Sequence, residues 1–336
     1  MKWFILLSLI GCTQVTSLNL KKHQFGVVPS KIIWFQIAGL EEEQIAMLRF
    51  QQPAEVRTSF ESSICYGQTW NYNLYRLRNS AESTFLSQMT GKKNIKYNCE
   101  DTNLRPIWSY ISNSGYETVA IESGANQRQG LLWLKSCNEN GSQYLSPIHY
   151  FVRSMPVKNA ETFHYTEEIK LTRDNVSYDR SCGENYCVSS IVDNFKSIYS
   201  SLLKKSTRHL VIVRDFSYLE AIEKKDFKKA KEILNDIELA YAEAMKYVSA
   251  NDHLVLLTTG DSRFIDMPDQ GKAFFESEKD NKNLNVKRSK LTNLVLASGA
   301  RAENFCGIYE DSDVFDRILS GPKQQGLELK IINPFK

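Results

Sequence analysis

A site that binds a transition metal needs imidazole, thiolate or carboxylate donors that converge on one point. In a chain of 336 residues there are five histidines to supply the imidazole: His23, His149, His164, His209 and His253. None has the spacing of a ligand pair. His209 and His253 each open an apolar run, HLVIV and HLVLLT, that reads as a strand. A five-residue strand is about 17 Å long, so both imidazoles stand at the amino ends of their strands. Two other groups have chemical types worth weighing. Tyr66, Trp70, Tyr72 and Tyr75 offer flat rings for a sugar or peptide, or packing beneath a loop. Asp261, Asp266 and Asp269 carry the hard oxygen donors that calcium takes, without the spacing of an EF-hand.

The cysteines say more about compartment than about catalysis. Met1-Lys2 is a short charged start, and Trp3 to Ile10 is an apolar run too short to span a bilayer. It leads into Leu9-Ile10-Gly11-Cys12, which resembles a bacterial lipobox, so Cys12 is the expected site of lipidation and the partner is a membrane, reached through that anchor. The competing reading is a secretory signal cleaved near Thr16-Ser17, and either one exports the protein. Thr13 in place of an acid gives no signal for inner-membrane retention, so the expectation is the periplasm, the outer membrane or the cell surface. Without Cys12 the seven cysteines leave six, an even number in an oxidising compartment. Cys182 and Cys187 are close enough for a local bridge. They lack CxxC spacing and have no histidine beside them, which argues against a metal site there.

Net charge is +3, and the basic residues are interleaved with acids, as in Glu223-Lys224-Lys225-Asp226. That balance gives no basis for nucleic-acid binding. With 42% hydrophobic and 24% charged residues the chain has an ordinary globular composition.

The elements alternate. Lys31 to Ala38 (KIIWFQIA) is continuously apolar, as a strand buried on both faces would be. Helices follow at Glu41–Phe50, at Ser80–Met89 with Ser80 as N-cap, and at Pro106–Asn113; Tyr116–Glu122 is a strand. The stretch from about 124 to 207 has no long period and reads as an irregular inserted cap. Regular structure resumes with the strand His209–Val213, a capping box at Ser217 and Glu220, and a long amphipathic helix from Phe227 to Val248. Strands at Asp252–Thr258, Leu294–Ala297 and Leu327–Ile332 and a helix at Ser312–Leu319 complete the chain. Alternation of this kind predicts an α/β fold: one doubly wound, mostly parallel sheet with helices on both faces. The expected organisation is a signal and linker over 1–17 and one domain over 18–336.

Several of these pieces resemble the alkaline phosphatase and sulfatase superfamily. LVLASGARAENFCGIYEDSDVFDRIL, Leu294 to Leu319, is similar to its C-terminal segment, and Thr258-Thr259-Gly260-Asp261 to its Thr-Ala-Asp-His strand end. Lys31 to Leu40 resembles its first strand, Ser80 through Thr90-Gly91 its nucleophile helix, and Gly115 to Glu122 its Gly-Tyr-x-Thr strand. The resemblance implies a metal site at the carboxyl ends of the strands, where open α/β sheets bind ligands, and a nucleophile at Ser80. Position by position the implied ligands are missing. The first strand ends in Ala38 where the family has Asp. Asp215 can stand for one acid and Asp261 for another, but no histidine accompanies them, and Lys287-Arg288 fall where the family has a late histidine. Ala81 takes the strict nucleophile position, with Ser80 one residue too far from Thr90-Gly91. The expectation is an exported envelope lipoprotein with a degenerate phosphatase-like fold, without a cofactor, serving in binding or assembly. Its partner would be an anionic small molecule or an envelope component, met by Arg214, Asp215, Asp261, Lys287 and Arg288. The alternative is an active zinc-dependent phosphomonoesterase or sulfatase using Ser80, with Asp215 and Asp261 as metal ligands.

Overall fold

The computed structural model describes residues 29–319, apart from 51, 52, 54, 126–128, 185, 267–284, 289 and 290. Cys12 and the expected strand Leu327–Ile332 lie outside the described residues. In chain order the elements begin with β1 (Lys31–Ala38), α1 (Glu42–Phe50), β2 (Cys65–Trp70), α2 (Ala81–Thr90), α3 (Ile107–Ile111) and β3 (Glu117–Ser123). Next come α4 (Gly130–Lys135), α5 (Asn138–Leu145), β4 (Ile148–Arg153), β5 (Glu161–Phe163), β6 (Val176–Asp179) and α6 (Ile191–Lys205). The rest are β7 (His209–Asp215), α7 (Ser217–Glu223), α8 (Phe227–Met245), β8 (His253–Gly260), β9 (Arg263–Asp266), β10 (Asn285–Arg288), β11 (Thr292–Gly299), β12 (Gly307–Glu310) and α9 (Asp313–Leu319).

Ten of the strands form one sheet in the order β12-β2-β11-β8-β1-β7-β3-β4-β6-β5, and β9 and β10 make a separate ribbon. Within the sheet only β11 runs against its neighbours, β2 and β8. The central strands are apolar on both sides because both sides are covered. Ile33, Phe35 and Ile37 of β1 join the core under α1, α6, α7 and α8. Ile32 and Trp34 face the opposite core, under α2, α3, α4, α5 and α9. Every core residue among those described lies between Ile32 and Ile318. No helix among the described residues is long and apolar enough to cross a membrane.

The segment 124–207, irregular in sequence, does not simply cap the sheet. It extends it: β4 pairs with β3, β6 with β4 and β5 with β6, all in parallel. These strands are short, and β5 and β6 lie at an edge, so neither carries the long apolar run that marks a central strand. The same segment supplies α6, started by a capping box in which Ser190 and Asp193 exchange side-chain bonds with each other's backbone amides. Three disulfides, Cys65–Cys306, Cys99–Cys137 and Cys182–Cys187, tie β2 to the approach of β12, the region before α3 to the end of α4, and a local loop. Three bridges fit a protein that matures in an oxidising compartment.

Candidate functional site

The carboxyl edge of the sheet is where a fold of this kind places its chemistry. It is assembled from the ends of β1, β7 and β8 and the first turn of α2. At the centre, Ala38 meets Ala81 and Phe85 of α2 and Phe216 and Leu219 from the start of α7, all buried, with Ala125 packed against them. The backbone allows no larger group here. Gly39, at φ 83°, turns the chain against Leu219, and its amide donates to the Gly260 carbonyl at 2.8 Å. A Cβ at Gly260 would stand 3.0 Å from Phe85 and 3.2 Å from Ala81. Hydrocarbon fills the space between the ends of β1 and β8 and the two helices.

Directly beneath this cluster, neighbouring β3 and β7 contribute Glu122 and Arg214, which face the same layer. The Arg214 guanidinium donates to Glu122 Oε2 at 2.9 Å, with both side chains buried. Glu122 also accepts from the Tyr150 hydroxyl at 2.6 Å and from the Leu131 amide at 3.1 and 3.2 Å to its two oxygens. Burial lifts the Glu122 carboxyl above its ordinary value, while Arg214, Tyr150 and Leu131 pull it back down. The Phe85 and Phe216 rings meet edge to face at 5.6 Å, and the guanidinium carbon sits 5.4 and 5.3 Å from their centres. Arg214 therefore holds an internal carboxylate, screened from the edge by two aromatic rings.

The other charged residues named from sequence take separate places. Asp215 faces the opposite layer and caps α7: its Oδ1 accepts from the Tyr218 amide at 2.9 Å and its Oδ2 from the Ser217 hydroxyl at 2.6 Å. The expected Ser217–Glu220 box is not what starts this helix, because the strand-end carboxylate reaches the free amide first. Burial pushes the Asp215 carboxyl up to about 6, against the pull of Ser217 and Tyr218. Asp261 follows β8 with φ 49° and pairs with Arg263 at 3.0 Å; Arg263 also bonds Glu223. Lys287 is exposed on the β9–β10 ribbon and pairs with Asp266 at 2.7 Å. Arg288 stands opposite Arg263 in the register of that ribbon.

Ser80 is the N-cap of α2, with extended backbone (φ −71°, ψ 163°) and a side chain that accepts from the Ser83 amide at 3.4 Å. All ten residues of this helix are buried, including polar Glu82, Ser83, Thr84, Ser87 and Gln88. Gln88 is tied to the sheet: its Oε1 accepts from Thr258 at 2.8 Å and from Gln36 at 3.2 Å, and Thr258 in turn accepts from the Trp34 indole at 2.9 Å. If Ser80 serves the helix as a cap, Ser80→Ala should lower unfolding free energy by about 1 kcal/mol and Ser80→Asp should restore most of it. Chemical denaturation of the two variants measures this; an unchanged stability in Ser80→Ala would remove the cap.

Sequence reading passed over Glu122, Gln88, Phe85 and Phe216. The available signal was Glu122, a lone acid near the end of an otherwise apolar strand, since a buried charge demands a partner. Among the described residues no group of three or more His, Cys, Asp or Glu side chains is placed to hold a metal ion. Ala38 and Gly260 offer no donor, and both Asp215 oxygens are taken by α7, so the side chains at this edge do not fit zinc.

No protein-family model matches the chain, and no curated protein matches it in sequence. The fold itself is shared with solved alkaline phosphatases. The enzyme of the Antarctic bacterium TAB5 superposes with a TM-score of 0.63 at 12% identity, covering 88% of this chain and 98% of that one. That of the psychrophile Shewanella sp. gives 0.64 at 10% identity over 86% and 98%. That of Thermus thermophilus gives 0.56 at 10% over 88% and 91%. At such identities the likeness establishes an alkaline-phosphatase-like fold.

Proposed function

We propose that the protein is an exported envelope lipoprotein that keeps an alkaline-phosphatase-like fold without its hydrolytic chemistry and serves in binding or assembly. One observation carries this reading: the carboxyl edge, where the resemblance puts metals and nucleophile, is occupied by the apolar cluster of Ala38, Ala81, Phe85, Phe216 and Leu219. A phosphoryl or sulfuryl group in transfer needs concentrated positive charge and an activated oxygen nucleophile. Hydrocarbon supplies neither, and the nearest guanidinium, Arg214, is committed to Glu122. Attachment through Cys12 would leave the domain tethered at a membrane, facing an envelope component or an anionic small molecule.

Metal analysis of the purified domain, with turnover of p-nitrophenyl phosphate and p-nitrophenyl sulfate, tests the catalytic half of the proposal. The expected result is no stoichiometric zinc and no turnover above background, with Ser80→Ala matching the parent in both measurements. Bound zinc together with turnover that Ser80→Ala abolishes would establish the active hydrolase instead. Labelling with a radioactive fatty acid in a bacterial host tests the anchor: the label should be incorporated and should vanish in Cys12→Ser.

A further inference from the structure

Loop 71–79 runs from the end of β2 to the cap of α2, along the same carboxyl edge. It is rigidly built. Asn73 Oδ1 accepts from the Tyr75 and Arg76 amides, both at 2.8 Å, while its Nδ2 donates to the Ile95 carbonyl at 2.9 Å. The Leu74 amide donates to the Lys93 carbonyl at 3.1 Å, closing the turn against the body of the domain. This fixed turn displays apolar side chains to solvent: Leu74 is 70% exposed, Tyr75 55% and Leu77 78%. Leu77 and Leu291 line an open groove flanked by Arg76 and Arg78. Neither guanidinium has a carboxylate partner among the described residues. Three exposed apolar side chains on one hydrogen-bonded turn form a patch, and with arginines between them that have no carboxylate partner among the described residues they call for a partner that is apolar and anionic at once.

We infer that loop 71–79 docks on an anionic phospholipid surface, with Leu74, Tyr75 and Leu77 entering the headgroup region and Arg76 and Arg78 meeting the phosphates. The alternation suits this arrangement: arginine stems lie along the apolar zone while their guanidinium groups stay at the polar level. An acidic polypeptide would satisfy the charges but find only Leu291 beside Leu77 as apolar wall and leave Leu74 in water; a bilayer takes charges and leucines together. The inference is independent of whether the edge is catalytic. It is compatible with the proposed anchor, because the 18 residues from 13 to 30 can span at most about 60 Å.

The test uses residues 18–336, which hold every described core residue and leave out the apolar leader and Cys12. Co-sedimentation is measured with vesicles of phosphatidylcholine alone and of phosphatidylcholine mixed with phosphatidylglycerol. Binding should appear on the mixed vesicles and fall on the order of 30-fold in Arg76→Gln/Arg78→Gln, at about 1 kcal/mol per cation. Leu74→Ser/Leu77→Ser should lose a comparable share even at full anionic content. All four side chains are exposed, so thermal melts of the variants should match the parent and exclude misfolding. Equal binding to neutral vesicles, or binding that both double variants retain, would overturn the inference. So would binding to polyglutamate without binding to vesicles, which would assign the loop to an acidic protein.

Discussion

Replacing Arg214 by methionine should destabilise the fold by about 3–5 kcal/mol at neutral pH, because it strands a buried carboxylate. Glu122 is entirely enclosed, and its remaining donors, the Tyr150 hydroxyl and the Leu131 amide, carry no full charge. The cost has a diagnostic pH dependence. Without Arg214, burial acts unopposed by any cation and lifts the Glu122 carboxyl further, so a falling pH lets it take a proton. The deficit of Arg214→Met relative to the parent should therefore be largest in alkaline buffer and shrink on acidification. A second variant separates charge from packing. Arg214→Met combined with Glu122→Gln removes both charges but keeps an acceptor for Tyr150, and it should recover most of the loss. Urea titrations of the two variants across pH check this; a single Arg214→Met as stable as the parent at neutral pH would mean that the pair contributes nothing.

That experiment also probes how the edge is held. The cluster of Ala38, Ala81, Phe85, Phe216 and Leu219 lies over the ion pair, with the guanidinium in contact with both rings. In a metal-dependent hydrolase the charge at this edge is the ion's, open to substrate. Here the cation beneath the cluster belongs to the chain and so does its anion, so Arg214 is neutralised from within. The stability of the fold lies in the two core layers, which do not depend on what stands at the strand ends.

Much of the frame was legible because apolar runs and helical periods are local signals. KIIWFQIA, HLVIV and HLVLLT are β1, β7 and β8, and the 3.6-residue pattern from Phe227 is α8. β2 escaped because its pattern is inverted: Cys65, Gly67 and Thr69 turn inward while Tyr66 and Trp70 are half exposed. Large aromatics on the outer side and small residues inside look like a loop cluster to any hydropathy reading. The residue types at the strand ends, Ala38, Asp215 and Gly260, could be read one at a time. The apolar cluster could not, since its five side chains come from positions 38, 81, 85, 216 and 219 and meet only in three dimensions. Arg214 shows the same limit. Its type and place fit an anion site, and only the register of β3 against β7 reveals that Glu122 occupies its guanidinium.

Asp311 sets the second large effect. It follows β12 at the start of the turn into α9, is 1% exposed, and its carboxylate accepts a hydrogen bond from Thr69. Burial pushes the carboxyl up to about 7, and the opposing pull of Thr69, Asn293 and Gln88 does not offset it. A carboxyl raised in the folded state binds its proton more tightly there than in the unfolded chain. Its contribution to stability is then fully present below the unfolded value near 4 and is lost as pH rises through 7. Over that window the loss is on the order of 4 kcal/mol, with Asp215, raised to about 6, adding in the same direction. Asp179 and Glu117, both lowered by their hydrogen-bond partners, act oppositely and lose their contribution as pH falls through their depressed values, at the acidic end. His209, lowered to about 4 by burial, gains stability as pH rises from about 4 to 6.5 and offsets part of this loss, so the parent should be most stable in mildly acidic buffer and weaken toward pH 7. Asp311→Asn mimics the protonated acid and cannot ionise, so the variant should lie close to the parent near pH 4 and become the more stable of the two as pH rises toward 7. Melting curves of both proteins over that range decide it. Parallel curves with no widening gap would mean that Asp311 ionises as readily in the folded protein as in the unfolded chain.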